Sequence, residues 1–105
     1  MVPFPDDLAV CTGFDWDVGN ADKNWELHKV SRGEAEETFF NRPFVTTPDP
    51  GHSRHEPRYA ALGRTDRGRR LTIIFMVRRE LIRVISVRDM SRRERRIYEQ
   101  AGIKK

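Results

Sequence analysis

"RRLTIIFMVRRELIRVISVRDMSRRERRIYEQ", residues 69–100, holds two runs of branched and aromatic side chains separated by Arg79-Glu80, and then changes period. The runs "RRLTIIFMVR" and "LIRVISVR" carry the residue types that fit a pleated surface, and a two-residue break between them suits a tight hairpin. In the second run the aliphatic side chains fall on both faces, with Leu81, Ile85 and Val87 on one and Ile82 and Val84 on the other. Such a strand is expected at the centre of a sheet, covered by helices on at least one side. From Ser91 the period is helical. Ser91 and Glu94 form an S-x-x-E capping box, and "RRERRIYEQ" continues as a helix whose apolar contacts are Ile97 and Tyr98.

Upstream, "RYAALGRT" (58–65) reads as an antiparallel partner of the first run, joined to it through "DRG" and Gly68. "PDPGHSRHEP" (48–57) is a loop by its prolines and glycine, and "FVTT" (44–47) is a short edge strand. Before it, Ser31 and Glu34 make another capping box, followed by a core stripe of Ala35, Thr38 and Phe39 that Pro43 brings to an end. An earlier helix through "ADKNWELHKV" (21–30) is capped by Asn20 or Asp22, and "CTGFDWD" (11–17) is a strand with Phe14 and Trp16 facing the core. The expected architecture is α+β: two N-terminal helices packed on a small antiparallel β-sheet, with a C-terminal helix. Residues 1–11 are expected to be a flexible leader and residues 12–105 a single domain.

The 105 residues suffice for one modest core. Charge is unevenly placed: residues 1–56 carry five Lys/Arg against eleven Asp/Glu, whereas residues 57–105 carry fifteen against five. The basic half is mostly arginine, whose planar fork suits phosphate, so a polyanionic partner is one reading. Arginines paired internally with the acidic first half are the other. With Cys11 as the one cysteine, neither an intrachain disulfide nor a thiolate zinc cage can form. No run approaches the ~20 apolar residues of a membrane span, which points to a cytoplasmic protein without membrane contact.

Strict alternation puts Arg83 on one face of its strand and Arg88 on the other, while Arg58, Ala60, Leu62 and Arg64 share a face of theirs. Arginines converging on a sheet surface can hold a phosphodiester and stabilise charge that develops on it. Arg92, Arg93, Arg95 and Arg96 point in several directions around the last helix and are expected to be solvated. For proton transfer the candidates are His28 on the first helix and His52, His55 and Glu56 in the loop. The H-x-x-H spacing with Glu56 offers three ligands on an irregular loop, and neither a metal site nor a cofactor is expected. Tyr59 and Trp25 carry rings that can stack on bases, although core packing is expected of Trp25. Phosphate-binding P-loops, dinucleotide-binding glycine patterns and nucleophile elbows are absent from the sequence.

Three blocks, "FDWDVGNADKNWELHKVSRGEAEETFF", "GHSRHEPRYAALGRTDRGRRLTIIF" and "IRVISVRDMSRRERRIYE", together resemble the BrnT toxins of bacterial type II toxin–antitoxin pairs, from Phe14 to Glu99. The matching positions are Trp16-Asp17, Lys23-Asn24 with His28, Glu56 to Tyr59, Gly63-Arg64, Gly68 to Leu71 and Ile82 to Arg88. The first helix departs from the family's Lys-His-Gly, having Leu27-His28-Lys29, which removes a cation there. The resemblance implies a RelE-like fold and a metal-independent ribonuclease that cleaves mRNA and inhibits translation. Carried onto this chain, the acid, base and charge-stabilising roles fall to Arg64, Arg83, Arg88, His28, His52 and Glu56. RNA binding falls to Lys23, Arg58, Arg70 and Arg79. The implied partners are RNA and a BrnA-like antitoxin, with operator DNA reached only through the antitoxin complex. A different reading of the same arginines is a non-catalytic basic module within a repressor complex.

Overall fold

The computed structural model describes residues 11–48 and 58–103. The expected leader, apart from Cys11, and the loop residues His52, His55 and Glu56 lie outside the described residues. The elements are β1 (Gly13–Phe14), α1 (Val18–His28), α2 (Arg32–Thr38), β2 (Val45–Pro48), β3 (Arg58–Arg64), β4 (Arg70–Arg78), β5 (Leu81–Asp89) and α3 (Arg92–Ile103). The α+β class and the order of helices and meander follow the sequence reading.

The sheet order is β1-β5-β4-β3-β2. Its antiparallel part follows from local signals. Arg79 and Glu80 both take positive φ, 54° and 64°, as the tight turn between β4 and β5 requires. Gly68, at φ 90°, serves the β3–β4 turn. β2 closes one edge against β3, as expected of "FVTT". At the other edge β1 runs parallel to β5, with Gly13 opposite Leu81 and Phe14 opposite Ile82, so the sheet is mixed. The Thr12 and Asp15 amides donate to the Glu80 and Ile82 carbonyls. No short-range signal marks a pairing over that separation.

One irregularity in β5 changes which side chains share a face. Ile74 is opposite Ser86 but Phe75 is opposite Val84, leaving Ile85 as the extra residue of a β-bulge. Alternation is therefore displaced by one from Ser86 onward. Ile82, Val84 and Val87 are all buried. Arg83 stands opposite Met76 and Arg88 opposite Thr72, on the other face. The expectation from strict alternation, which separated Arg83 from Arg88, is overturned: the bulge puts both on one surface.

The core fills the opposite face. Leu71, Ile73 and Phe75 of β4, Val84 and Val87 of β5 and Ala61 of β3 pack against Val30, Ala35, Phe39 and Phe44. Phe39 is the hub, with ring centroids 5.3 Å from Phe14, 4.9 Å from Phe44 and 5.1 Å from Phe75. Each such side chain contributes about 1.5–3 kcal/mol on burial. Gly63 lets α2 approach β3, since a Cβ there would lie 3.0 Å from Thr38 Cβ and 3.2 Å from Phe44 Cδ1.

Both capping boxes form, Ser31 with Glu34 and Ser91 with Glu94. The cap of α1 is Asp17 rather than Asn20 or Asp22, its Oδ1 accepting from the Asn20 amide at 3.1 Å. α2 ends at Thr38, before Pro43 can act on it. Trp16 lies partly buried against the core and donates from Nε1 to Glu36 at 2.8 Å. Trp25 and Ile97, expected in the core, are 52% and 47% exposed. α1 instead packs through Ala21 and Asn24, whose Oδ1 accepts from the Val87 amide at 3.3 Å. A helix laid against a strand edge needs a short polar side chain there, which leaves the Trp25 ring half in solvent. None of the described helices is long and apolar enough to cross a membrane.

Candidate nucleic-acid face

The bulge and the strand register together arrange the arginines in rows across β3, β4 and β5. Arg58, Met76 and Arg83 form one row, and Ala60, Ile74 and Ser86 the next. Leu62, Thr72 and Arg88 follow, and then Arg64 beside Arg70. Five of the predicted residues, Arg58, Arg64, Arg70, Arg83 and Arg88, are thus on one surface. The first and last rows are six residues apart along β3, roughly 20 Å at the usual strand rise, so one phosphate cannot reach both.

Each end has its own electrostatics. In the first row, Arg83 donates to Asp17 Oδ2 at 3.3 Å and lies 3.7 Å from Asp15 Oδ2. Arg58 is half-buried and forms no hydrogen bond or ion pair with any of the described residues. At the far end α3 is fastened over the sheet. Arg88 makes a two-pronged contact with Glu94 at 2.8 and 3.0 Å, and the Glu94 carboxylate also accepts from Thr72 Oγ1 at 2.9 Å and the Ser91 amide at 2.8 Å. Hydrogen bonding from Arg88 is the largest influence on Glu94 and outweighs burial, bringing its pKa down to about 2. Arg70 pairs with Glu99, and the buried Tyr98 hydroxyl donates to the Pro43 carbonyl at 2.7 Å. Arg64 donates from Nε to the Arg42 carbonyl at 3.0 Å.

The other predicted residues that the structure describes are elsewhere. Lys23 is exposed on α1, and Arg79 is exposed in the β4–β5 turn, at the opposite end of the sheet from Arg64 and Arg70. His28, the last residue of α1, is half-buried and shares a helix stripe with Asn24 along the edge of β5, apart from the arginine rows. Arg92, Arg93, Arg95 and Arg96 are exposed, as expected. Among the described residues no group of three His, Cys, Asp or Glu side chains is placed to hold a metal ion.

Sequence reasoning missed Arg69. Its Nε and Nη2 grip Asp89 at 2.9 and 3.1 Å, Nη1 donates to the Lys29 carbonyl at 2.7 Å and lies 3.3 Å from Glu34, and Nη2 also reaches the His28 carbonyl at 3.0 Å. One guanidinium thereby joins the end of α1, the cap of α2, the start of β4 and the end of β5. Hydrogen bonding from Arg69 is the main cause of the lowered Asp89 pKa, ahead of burial, which opposes it. Smaller contributions come from the charges of Arg69, His28 and Arg95. The one available signal was an arginine at a hairpin turn beside a strand that ends in aspartate.

The model of the family described as ribonuclease toxin, BrnT, of type II toxin-antitoxin system matches residues 16–94. Among solved structures, the chain is similar to the 1.1 Å crystal structure of the Brucella abortus ribonuclease toxin BrnT, at 23% identity and a TM-score of 0.56. The match covers 76% of this chain and 97% of that one. At this identity the likeness speaks for the fold. No curated protein matches the chain. The match to the family model spans most of the domain, including four of the five strands, both N-terminal helices and every arginine of the face. The chain belongs to the BrnT family of ribonuclease toxins of type II toxin–antitoxin systems.

Proposed function

We propose that this chain cleaves RNA by metal-independent transesterification on the arginine-bearing face of its sheet. The observation that carries the reading is the Ile85 bulge, which turns Arg83 and Arg88 to the same side as Arg58, Arg64 and Arg70. In such a reaction the ribose 2'-hydroxyl attacks its own phosphodiester and loses its proton to a base. Charge builds on the pentacoordinate phosphorus, and the departing 5'-oxygen takes a proton from an acid, leaving a 2',3'-cyclic phosphate and a 5'-hydroxyl. Arg58 and Arg83 flank the apolar Met76 and are the pair to stabilise that charge. Arg64, Arg70 and Arg88 hold neighbouring phosphates, with Lys23 and Arg79 as outlying cationic contacts. His28, His52 and Glu56 are the acid and base candidates, and Glu56 precedes Arg58 by two residues in sequence. A BrnA-like antitoxin neutralises the toxin in the cytoplasm, and the complex reaches operator DNA through that partner.

The test is incubation of purified protein with a defined RNA in the presence of a metal chelator, with end-group analysis of the fragments. Cyclic phosphate ends are expected, and Arg58→Ala and Arg83→Ala each lower the single-turnover rate by about 10²–10³-fold. Folded wild-type protein that leaves RNA intact would refute the reading. It would also favour a non-catalytic binding module, to which the existing pairing of Arg70, Arg83 and Arg88 with carboxylates gives some support.

A further inference from the structure

Beyond the arginine rows, a depression of about 480 Å³ lies between the β3–β4 turn and α3, lined by Gly68, Arg70, Asp89, Met90 and Arg95. Its volume is in the range of small-molecule sites. Gly68 borders it on open space, where a Cβ would meet nothing within 4 Å. Two arginines and one aspartate line this space. Arg70 spends one terminal nitrogen on Glu99. The Arg95 guanidinium makes no hydrogen bond or ion pair with the described residues, yet it stands near enough to Asp89 for its charge to be felt there. Asp89 gives each oxygen one hydrogen bond from Arg69, so each retains a lone pair.

We infer that this depression is a nucleotide subsite of the RNA-binding face, in which Arg70 and Arg95 take a phosphate and Asp89 accepts from a base amino group. The inference rests on the ribonuclease reading and adds a place and a base preference to it. Arg70 belongs to the last row of the face and to the depression at once, so an RNA strand crossing the rows continues into it. The carboxylate selects among bases by its acceptor character. Guanine, adenine and cytosine present an exocyclic amine, whereas the pairing edge of uracil offers one N–H between two carbonyls. Arg95 is thereby distinguished from Arg92, Arg93 and Arg96 on the same helix, which do not line the depression.

The test uses a short RNA with 2'-O-methyl groups at every position, so that binding is read without cleavage, and follows its fluorescence anisotropy with the full chain. Arg95→Ala is compared with Arg93→Ala, which removes the same charge from the same exposed helix outside the depression. Arg95→Ala is expected to weaken binding about five- to tenfold more than Arg93→Ala and to reduce the salt slope by about 0.7. In the wild type, replacing every base by uracil is expected to weaken binding, because uracil lacks the amino group that Asp89 accepts from. If the two variants bind alike while Arg58→Ala and Arg83→Ala weaken binding, the subsite is refuted and the arginine face stands. If the folded wild type binds no RNA, both fall. Arg95 and Arg93 are exposed on a helix, so neither variant jeopardises folding.

Discussion

Replacing Arg69 by alanine removes a joint between four segments, and its cost can be worked from the contacts. The contact with Asp89 has good two-pronged geometry, but Asp89 is 64% exposed, so solvent reduces it to about 0.5–1 kcal/mol. Glu34, at 33% exposure and 3.3 Å, adds about 0.5 kcal/mol. The His28 and Lys29 carbonyls at the end of α1 accept charge-assisted hydrogen bonds worth about 1 kcal/mol each. The total is about 3 kcal/mol, a Tm lower by roughly 10–20 °C for a domain of this size. The assay is urea unfolding followed by the fluorescence of Trp16 and Trp25, with an unchanged m-value showing that the folded state is otherwise intact. Arg69→Lys keeps the charge but loses the fork and should recover less than half of the loss. The acid side gives a further check. Asp89 and Glu34 both have lowered pKa values, so their stabilisation is present above the ordinary carboxylate range and lost as pH falls through the lowered values. The gap between wild type and Arg69→Ala should therefore narrow in acid by the roughly 1–1.5 kcal/mol of the two carboxylate contacts, leaving the part carried by the His28 and Lys29 carbonyls. A loss below about 0.5 kcal/mol, or full recovery with lysine, would refute the account.

Glu94→Gln should cost about 2–3 kcal/mol at neutral pH, from a carboxylate lowered to about 2 and a side chain that is 23% exposed. That difference is held above pH ~4.5 and disappears toward pH ~2, which unfolding curves at pH 7 and pH 3 will show. Gly63→Ala should destabilise by about 1–3 kcal/mol in the same assay, because the new methyl meets Thr38 and Phe44. Trp25→Ala should cost about 1–2 kcal/mol, about half of the side chain being in solvent, and a loss above ~3 kcal/mol, as for a core tryptophan, would contradict its placement.

What was legible from sequence was local. Val, Ile and Phe in β4 and β5, the Arg79-Glu80 turn and the serine–glutamate caps act over a few residues, so pattern reading found them. The bulge escaped because a strict two-residue period has no mark for one inserted residue, and Ile85 is as good a strand former as its neighbours. That single miss split the arginine face that the register reunites. Arg69 escaped for the opposite reason: its partners His28, Lys29, Glu34 and Asp89 are remote in sequence and meet only when the fold is complete. Trp25 was misplaced because burial was inferred from size, while the contact of α1 with β5 goes through Ala21 and Asn24.

The parallel pairing of β1 with β5 also bears on how the protein is made. Thr12 and Glu80 share a backbone hydrogen bond across 68 residues, so β1 waits for β5 to be synthesised before it can dock. β5 also supplies Arg83 and Arg88, so the cationic surface comes into being at the same moment. A truncated product ending before residue 81 would lack both the partner of β1 and those two arginines, so the sheet edge and the cationic surface are acquired together.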